Sequence, residues 1–248
     1  MKSTFKDHFS EGTQEYATFR PTYPAALFEY LSGISPEKKI AWDCATGNGQ
    51  CAYELSKYFS LVLATDASSS QIEQAKKQKN IAYSVSVAER SSIETGSVDL
   101  VAVAQALHWF DQEKFFSEVK RVLKPKGVLA VWSYNLLKIR SDLDEVINHF
   151  YKETLEAYWQ PERIMVEQGY AQIQFPFKQT ETPEFVMKQE WNCSQLLGYL
   201  GTWSAVKKYK QENGVDPVTE LSEAITVLWG DPEEKLKVEW PLNIRVMV

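Results

Sequence analysis

The sequence predicts an α/β protein on a doubly wound, mostly parallel sheet, with a helical cap after the fifth strand and a C-terminal antiparallel strand. Three observations carry this expectation. Short, mostly apolar runs at residues 39–44, 61–65, 98–106 and 128–133 alternate with helical patterns. Runs of that kind belong in parallel strands covered on both faces. The first run ends in Asp43 and opens through Cys44-Ala-Thr-Gly-Asn-Gly-Gln50 into a helix, and a second acid, Asp66, closes the next run.

Each element follows from its pattern. Residues 24–31 place Leu27, Tyr30 and Leu31 on one helical face, which Gly33 and Ser35-Pro36 close. The first strand, 39–44, leads through the loop to a helix over 50–59, where Cys51, Leu55, Tyr58 and Phe59 face a core. Strand 61–65 precedes a short helix, 70–79, buried through Ile72 and Ala75. Strands follow at 81–87 and 98–106. Asp111 caps the next helix, whose stripe is Phe115, Phe116, Val119, Val122 and Leu123. Pro125-Lys-Gly127 stops it and turns the chain into strand 128–133.

Beyond Tyr134 the pattern loosens. A long helix is expected over 141–158, with Ser141 and Asp144 set as a capping box. An aromatic- and proline-broken stretch runs to 182, a strand spans 185–191, helices span 194–210 and 217–228, and a strand over 236–246 ends the chain. The expected division is a ligand-binding core with an N-terminal lid at 1–135, a helical cap at 136–182, and a strand-helix-strand unit at 183–248 that completes the sheet.

Composition narrows the class. The 248 residues are 44% hydrophobic and 24% charged, with formal net charge −6. That balance argues against nucleic acid as partner, since phosphate binding needs a basic face. No apolar run reaches membrane-span length, so no membrane role is expected, and the N-terminus lacks a signal-peptide core. Three cysteines, Cys44, Cys51 and Cys193, are odd in number and lack zinc spacing, which suits reduced structural thiols, no metal, and a cytoplasmic location. Oligomeric state is not legible.

The loop suits an adenosine-bearing ligand. Gly47 and Gly49 permit a sharp turn and close approach, and Asp66 is placed for ribose hydroxyls or for capping the helix that follows. Ala52 at the third glycine position leaves a nicotinamide dinucleotide open. Asp43, four residues before Gly47, would repel a pyrophosphate and suits a ligand carrying an ammonium group. S-adenosylmethionine has such a group and no phosphate.

Trp42-Asp-Cys-Ala-Thr-Gly-Asn-Gly-Gln50, Ala64-Thr-Asp66, Ser97-Val-Asp-Leu100, Ala104-Gln-Ala-Leu-His-Trp-Phe110 and Glu118-Val-Lys-Arg-Val-Leu-Lys-Pro-Lys-Gly127 stand in one order. That order resembles the motifs of class I S-adenosylmethionine-dependent methyltransferases, which have a Rossmann-like fold. The most similar branch is methyltransferase type 11, which includes trans-aconitate methyltransferases. The likeness covers about residues 5–135, and Leu200-Gly-Thr-Trp-Ser204 also resembles that branch. Ala45 stands where the family usually has glycine, a methyl group expected to cost little.

The resemblance implies a cofactor site. Asp43, Ala45 and Gly47 would receive the methionine part, Asp66 the ribose, and Ala67 the adenine face. Ala88 and Glu89 would meet the adenine edge, and Gln105 would floor the methionine moiety or else satisfy buried backbone. Tyr16, Arg20 and Tyr23 match a segment that folds over the cofactor, with Arg20 facing its carboxylate.

The resemblance also implies methyl transfer to a small-molecule acceptor, a carboxylate among the candidates. Alignment supplies much of such a rate, and a base is needed only where the acceptor starts protonated. His108 lies just past the fourth strand as candidate base or as a brace of its turn. Tyr23, Trp109, Trp132, Tyr134 and Trp203 are candidate walls of the acceptor pocket. A nicotinamide-dependent oxidoreductase and a non-catalytic S-adenosylmethionine-binding protein are the alternatives.

Overall fold

The computed structural model describes residues 20–248; Tyr16 lies outside them. Helix α1 (Ala25–Ile34) precedes β1 (Ile40–Cys44), α2 (Gln50–Leu55), β2 (Leu61–Asp66), α3 (Ser69–Gln74), β3 (Ile81–Val85) and β4 (Val98–Ala104). After a 3-10 turn (Leu107–Trp109) come α4 (Gln112–Val122) and β5 (Leu123–Tyr134). Next come α5 (Ser141–His149), a π turn (Phe150–Thr154), a 3-10 turn (Glu156–Tyr158) and α6 (Arg163–Glu167), in the stretch expected to form the cap. The chain closes with β6 (Gln179–Thr180), β7 (Val186–Trp191), α7 (Cys193–Gly201), α8 (Ser204–Asn213), α9 (Pro217–Trp229) and β8 (Leu236–Met247).

Among the described residues eight strands form one sheet in the order β3-β2-β1-β4-β5-β8-β6, with β7 paired to β8. All neighbours from β3 to β5 are parallel, and β8 enters antiparallel. Alternate residues go to opposite faces. Ala41, Leu100, Ala102, Val128 and Ala130 pack under α1 and α2, while Trp42, Val101, Val103, Leu129 and Val131 pack against α4. Burial on both faces is why these runs are apolar throughout. One half of β8 pairs β7 up to Pro241, and from Leu242 onward the other half lies between β5 and β6.

The structure shifts several expected boundaries. The helix expected over 50–59 stops at Leu55, and Tyr58 and Phe59 follow in turns. The helix expected over 70–79 is only six residues long. β5 begins at Leu123, ahead of Pro125, because Leu123 already pairs with Val98 across an irregularity in the ladder. The long cap helix widens into the π turn after His149.

The expected Ser141 capping box does not form. Arg140 occupies the cap position, and the Asp144 carboxylate instead accepts the Ile139 amide at 2.8 Å. The helix expected over 194–210 is two helices. It breaks at Thr202-Trp203, where the Thr202 hydroxyl donates to the Tyr199 carbonyl and Trp203 turns into the core. Among the described residues no helix is long and apolar enough to cross a membrane.

Candidate active site

The chain runs outward from β1 to β3 and then restarts on the other side of β1 with β4 and β5. The crevice beyond the C-terminal ends of β1 and β4 is therefore the topological switch point, where open α/β sheets bind ligands. Both strands end there on residues in the left-handed region, Ala45 (φ 58°) and Gln105 (φ 56°). Backbone strain of this kind gathers at functional sites. It also corrects the expectation that the Ala45 methyl costs little, because left-handed geometry in a residue with a Cβ costs roughly 1–2 kcal/mol.

Gly47 (φ 55°) and Gly49 (φ 83°) complete the turn into α2. The space beside Gly47 is open, with only Gln71 Oε1 at 3.8 Å from the position a Cβ would take. At Gly49 a Cβ would run into the Tyr83 hydroxyl, so the crowding there comes from the protein itself.

Two carboxylates flank the loop. Asp66 accepts from the Gly47 amide at 2.8 Å through one oxygen and from the Ser68 amide at 2.9 Å through the other. Asp43 is wholly buried and accepts from the Thr46 hydroxyl, while its Oδ1 has no hydrogen-bond partner of good geometry. Burial pushes the Asp43 carboxyl up to about 6, against the pull of Thr46, the Cys51 thiol and the Ala52 amide. Asp43 is thus held under the loop by Thr46, with Oδ1 left without a partner. The same burial pushes the Cys44 and Cys51 thiols well up, which makes them inert.

Several expected cofactor residues have protein partners. Gln105 donates to the Tyr134 carbonyl at 2.9 Å and accepts from the Tyr134 amide at 3.2 Å. Its amide extends the β4–β5 ladder by a rung and is not turned to the crevice. Glu89 accepts the Asp111 amide at 2.9 Å, beside the buried Ala88, and Ala67 is half-buried after β2. Arg20 donates to the Tyr134 hydroxyl at 2.9 Å and lies over the Tyr199 ring.

The expected acceptor residues divide. Trp132 is fully buried against Tyr23 and Phe28, so it is core and not a pocket wall. Trp203 is also buried, within a cluster formed by Phe150, Tyr151, Trp159 and Tyr199. Tyr134 is nearly buried, Tyr23 and Trp109 are half-buried, and Trp109 packs on His108.

His108 sits in the 3-10 turn with Nδ1 at 3.0 Å from the Tyr170 hydroxyl. Burial, with the positive charge of Arg163 added, lowers its pKa to about 3. A ring that weakly basic is a poor proton acceptor at neutral pH, and the Tyr170 contact fits the other expectation for His108, a brace of its turn.

Sequence reasoning missed Arg163, Tyr151, Asn135 and Tyr170. Arg163 donates to the Tyr151 hydroxyl at 2.7 Å and to Asn135 Oδ1 at 2.8 Å, and it lies over the Tyr151 and Trp159 rings. The one signal available was a lone arginine in the aromatic stretch after Trp159.

The geometry defines a doubly wound protein whose switch-point loop is flanked by two carboxylates. Its Gly47 amide, which a pyrophosphate would need, is already given to Asp66. Residues 42–131 match the methyltransferase domain family. A Dictyostelium discoideum protein designated a methyltransferase is 34% identical over 89% of this chain and 86% of its own length. Saccharomyces cerevisiae CRG1, named as an S-adenosylmethionine-dependent methyltransferase, is 32% identical over 91% of each chain. A solved structure described as a type II methyltransferase from Anaeromyxobacter dehalogenans is 40% identical, with TM-score 0.88, over 92% of this chain and 97% of that one.

The chain belongs to the class I S-adenosylmethionine-dependent methyltransferase family. S-adenosylmethionine is its cofactor, and the site fits it: an open turn at Gly47 and a carboxylate at the end of β2. The nicotinamide alternative is set aside.

Proposed function

We propose that the protein methylates an oxygen of a small organic carboxylate. The observation that carries this reading is the state of His108, a neutral, weakly basic ring braced by Tyr170 at the edge where the acceptor would lie. An acceptor that must lose a proton finds little help there, whereas a carboxylate arrives ionised at neutral pH. When bound, the cofactor supplies an electrophilic methyl group whose bonding electron pair leaves with sulfur. The chain's own task is alignment and exclusion of water. Asp66 and the Ala45–Gly49 turn would fix the cofactor, Tyr134 and Trp109 would border the acceptor, and the aromatic cap would keep the site dry.

The test is the chemical stability of the label. With radiolabelled methyl donor and a panel of organic acids, alcohols and amines, incorporated label should be released as methanol by mild alkali, as a methyl ester requires. Alkali-stable label, the signature of an ether or a methylated amine, overturns the reading.

A further inference from the structure

Arg163 stands out from the other charged groups near the site. Its guanidinium is half-buried, and among the described residues no carboxylate lies within ion-pair distance of it. Glu167 is one helical turn on, at the spacing that brings two helical side chains together. Its carboxylate is taken by the Tyr151 hydroxyl instead. The Arg163 cation therefore reaches a carboxylate only through the Tyr151 hydroxyl, and a charge drawn partly out of water without a direct ion pair is costly.

The geometry around it is that of a presented fork. The Nε hydrogen goes to Tyr151 and one Nη2 hydrogen to Asn135. The rings of Tyr151 and Trp159 bear on the guanidinium plane at 5.4 and 5.0 Å. An arginine has five N–H donors, so the Nη1 pair and the second Nη2 hydrogen remain, and the edge they form is not sealed inside the protein. That edge matches a carboxylate. Asn135 directly follows β5, Tyr170 braces His108 past β4, and the charge of Arg163 reaches His108. The fork therefore stands at the mouth of the switch-point crevice.

We propose that Arg163 anchors an anionic group of the acceptor other than the oxygen that receives the methyl. This inference rests on the carboxylate reading above and makes the acceptor class a small di-acid. The anchored group is distinct from the reacting one because a guanidinium bonded to the attacking oxygen would draw off the charge that makes it nucleophilic. Tyr151, Asn135 and Glu167 act through Arg163 as positioning residues.

The test compares wild type with Arg163→Gln and Arg163→Lys on short aliphatic dicarboxylic acids and on their monoethyl esters, which keep one carboxylate. Calorimetry with S-adenosylmethionine and thermal melts run alongside. For Arg163→Gln, KM for the di-acids should rise about 10- to 100-fold while the half-esters and cofactor affinity stay unchanged. Lysine, a point charge without a fork, should restore only part of the loss. Equal loss on di-acids and half-esters, or no loss on either, overturns the anchor while leaving carboxylate methylation standing. A wild type that methylates none of these acids, but does methylate an alcohol or amine, overturns the earlier reading and this one with it.

Discussion

Gln105 and Tyr134 exchange two hydrogen bonds, side-chain amide to backbone, at 2.9 and 3.2 Å. The glutamine imitates a strand residue exactly one rung past the end of β4, and its own backbone pays with a left-handed φ of 56°. Shortening it separates the two effects. Asparagine tolerates left-handed geometry better than glutamine, yet its amide is one methylene too short to reach the Tyr134 backbone. Gln105→Asn should therefore destabilise the protein by about 1–3 kcal/mol, the cost of buried backbone groups left unpaired. Denaturant unfolding measures this; a more stable variant would show that φ, and not the pairing, dominates.

At Ala45 the same conformation has no such return. Ala45→Gly should relieve roughly 1–2 kcal/mol of strain, partly offset by glycine's greater freedom in the unfolded chain. The expected net is a gain of about 0.5–1 kcal/mol, seen as a melting temperature raised by a few degrees.

These two positions mark where the sequence stops being legible. β1, β4 and β5 were readable because both faces are buried, which forces apolar runs regardless of context. The Asp111 cap was readable because it is local, its carboxylate accepting from Lys114 three residues on. The cap was not, since the Phe150–Trp203 stack and the break at Thr202 depend on contacts across the fold. Arg163 was invisible for a related reason. A charged side chain gains its meaning from which partners it lacks, and only the folded neighbourhood shows that.

Asp43 makes a prediction about pH. Its folded pKa of about 6 lies above the ordinary 3.8, so between these values the folded state holds a proton that the unfolded state has released. Stability from this group therefore falls as pH rises through about 4 to 6, by roughly 3 kcal/mol at about 1.4 kcal/mol per pKa unit. Asp43→Asn should remove that slope and leave the protein more stable than wild type at pH 7, if Thr46 still finds its oxygen. Unfolding free energies across that window check it.

Asp66 has the opposite character, since its oxygens hold the Gly47 and Ser68 amides. Asp66→Ala should loosen the turn and remove the carboxylate expected at the ribose. Losing hydrogen bonds to a charged group at about 1.5–3 kcal/mol predicts a fall in S-adenosylmethionine affinity of about 10- to 150-fold. Calorimetry with S-adenosylmethionine and S-adenosylhomocysteine should show both weakened alike, because the shared nucleoside is what is lost. Unchanged affinity would remove Asp66 from the ribose role.

His108 is where stability and catalysis give separate readouts. Its pKa of about 3 lies below the ordinary 6.5, so over that interval the unfolded state binds the extra proton. Its contribution is present above pH 6.5 and is lost as pH falls toward 3, opposite in sign to that of Asp43. In wild type the two slopes partly cancel between pH 4 and 6, and His108→Asn should expose the Asp43 slope alone. In catalysis the same neutral ring predicts a kcat flat from pH 7 to 9, above the Asp43 transition, because neither it nor an ionised acceptor titrates there. His108→Asn keeps a hydrogen-bonding side chain beside Tyr170 and should retain kcat within about threefold, far less than the 100-fold or more that removing a general base costs. A loss of that larger size, joined to an acid limb near pH 6 that persists in Asp43→Asn, would return His108 to the role of base and the acceptor to the protonated classes.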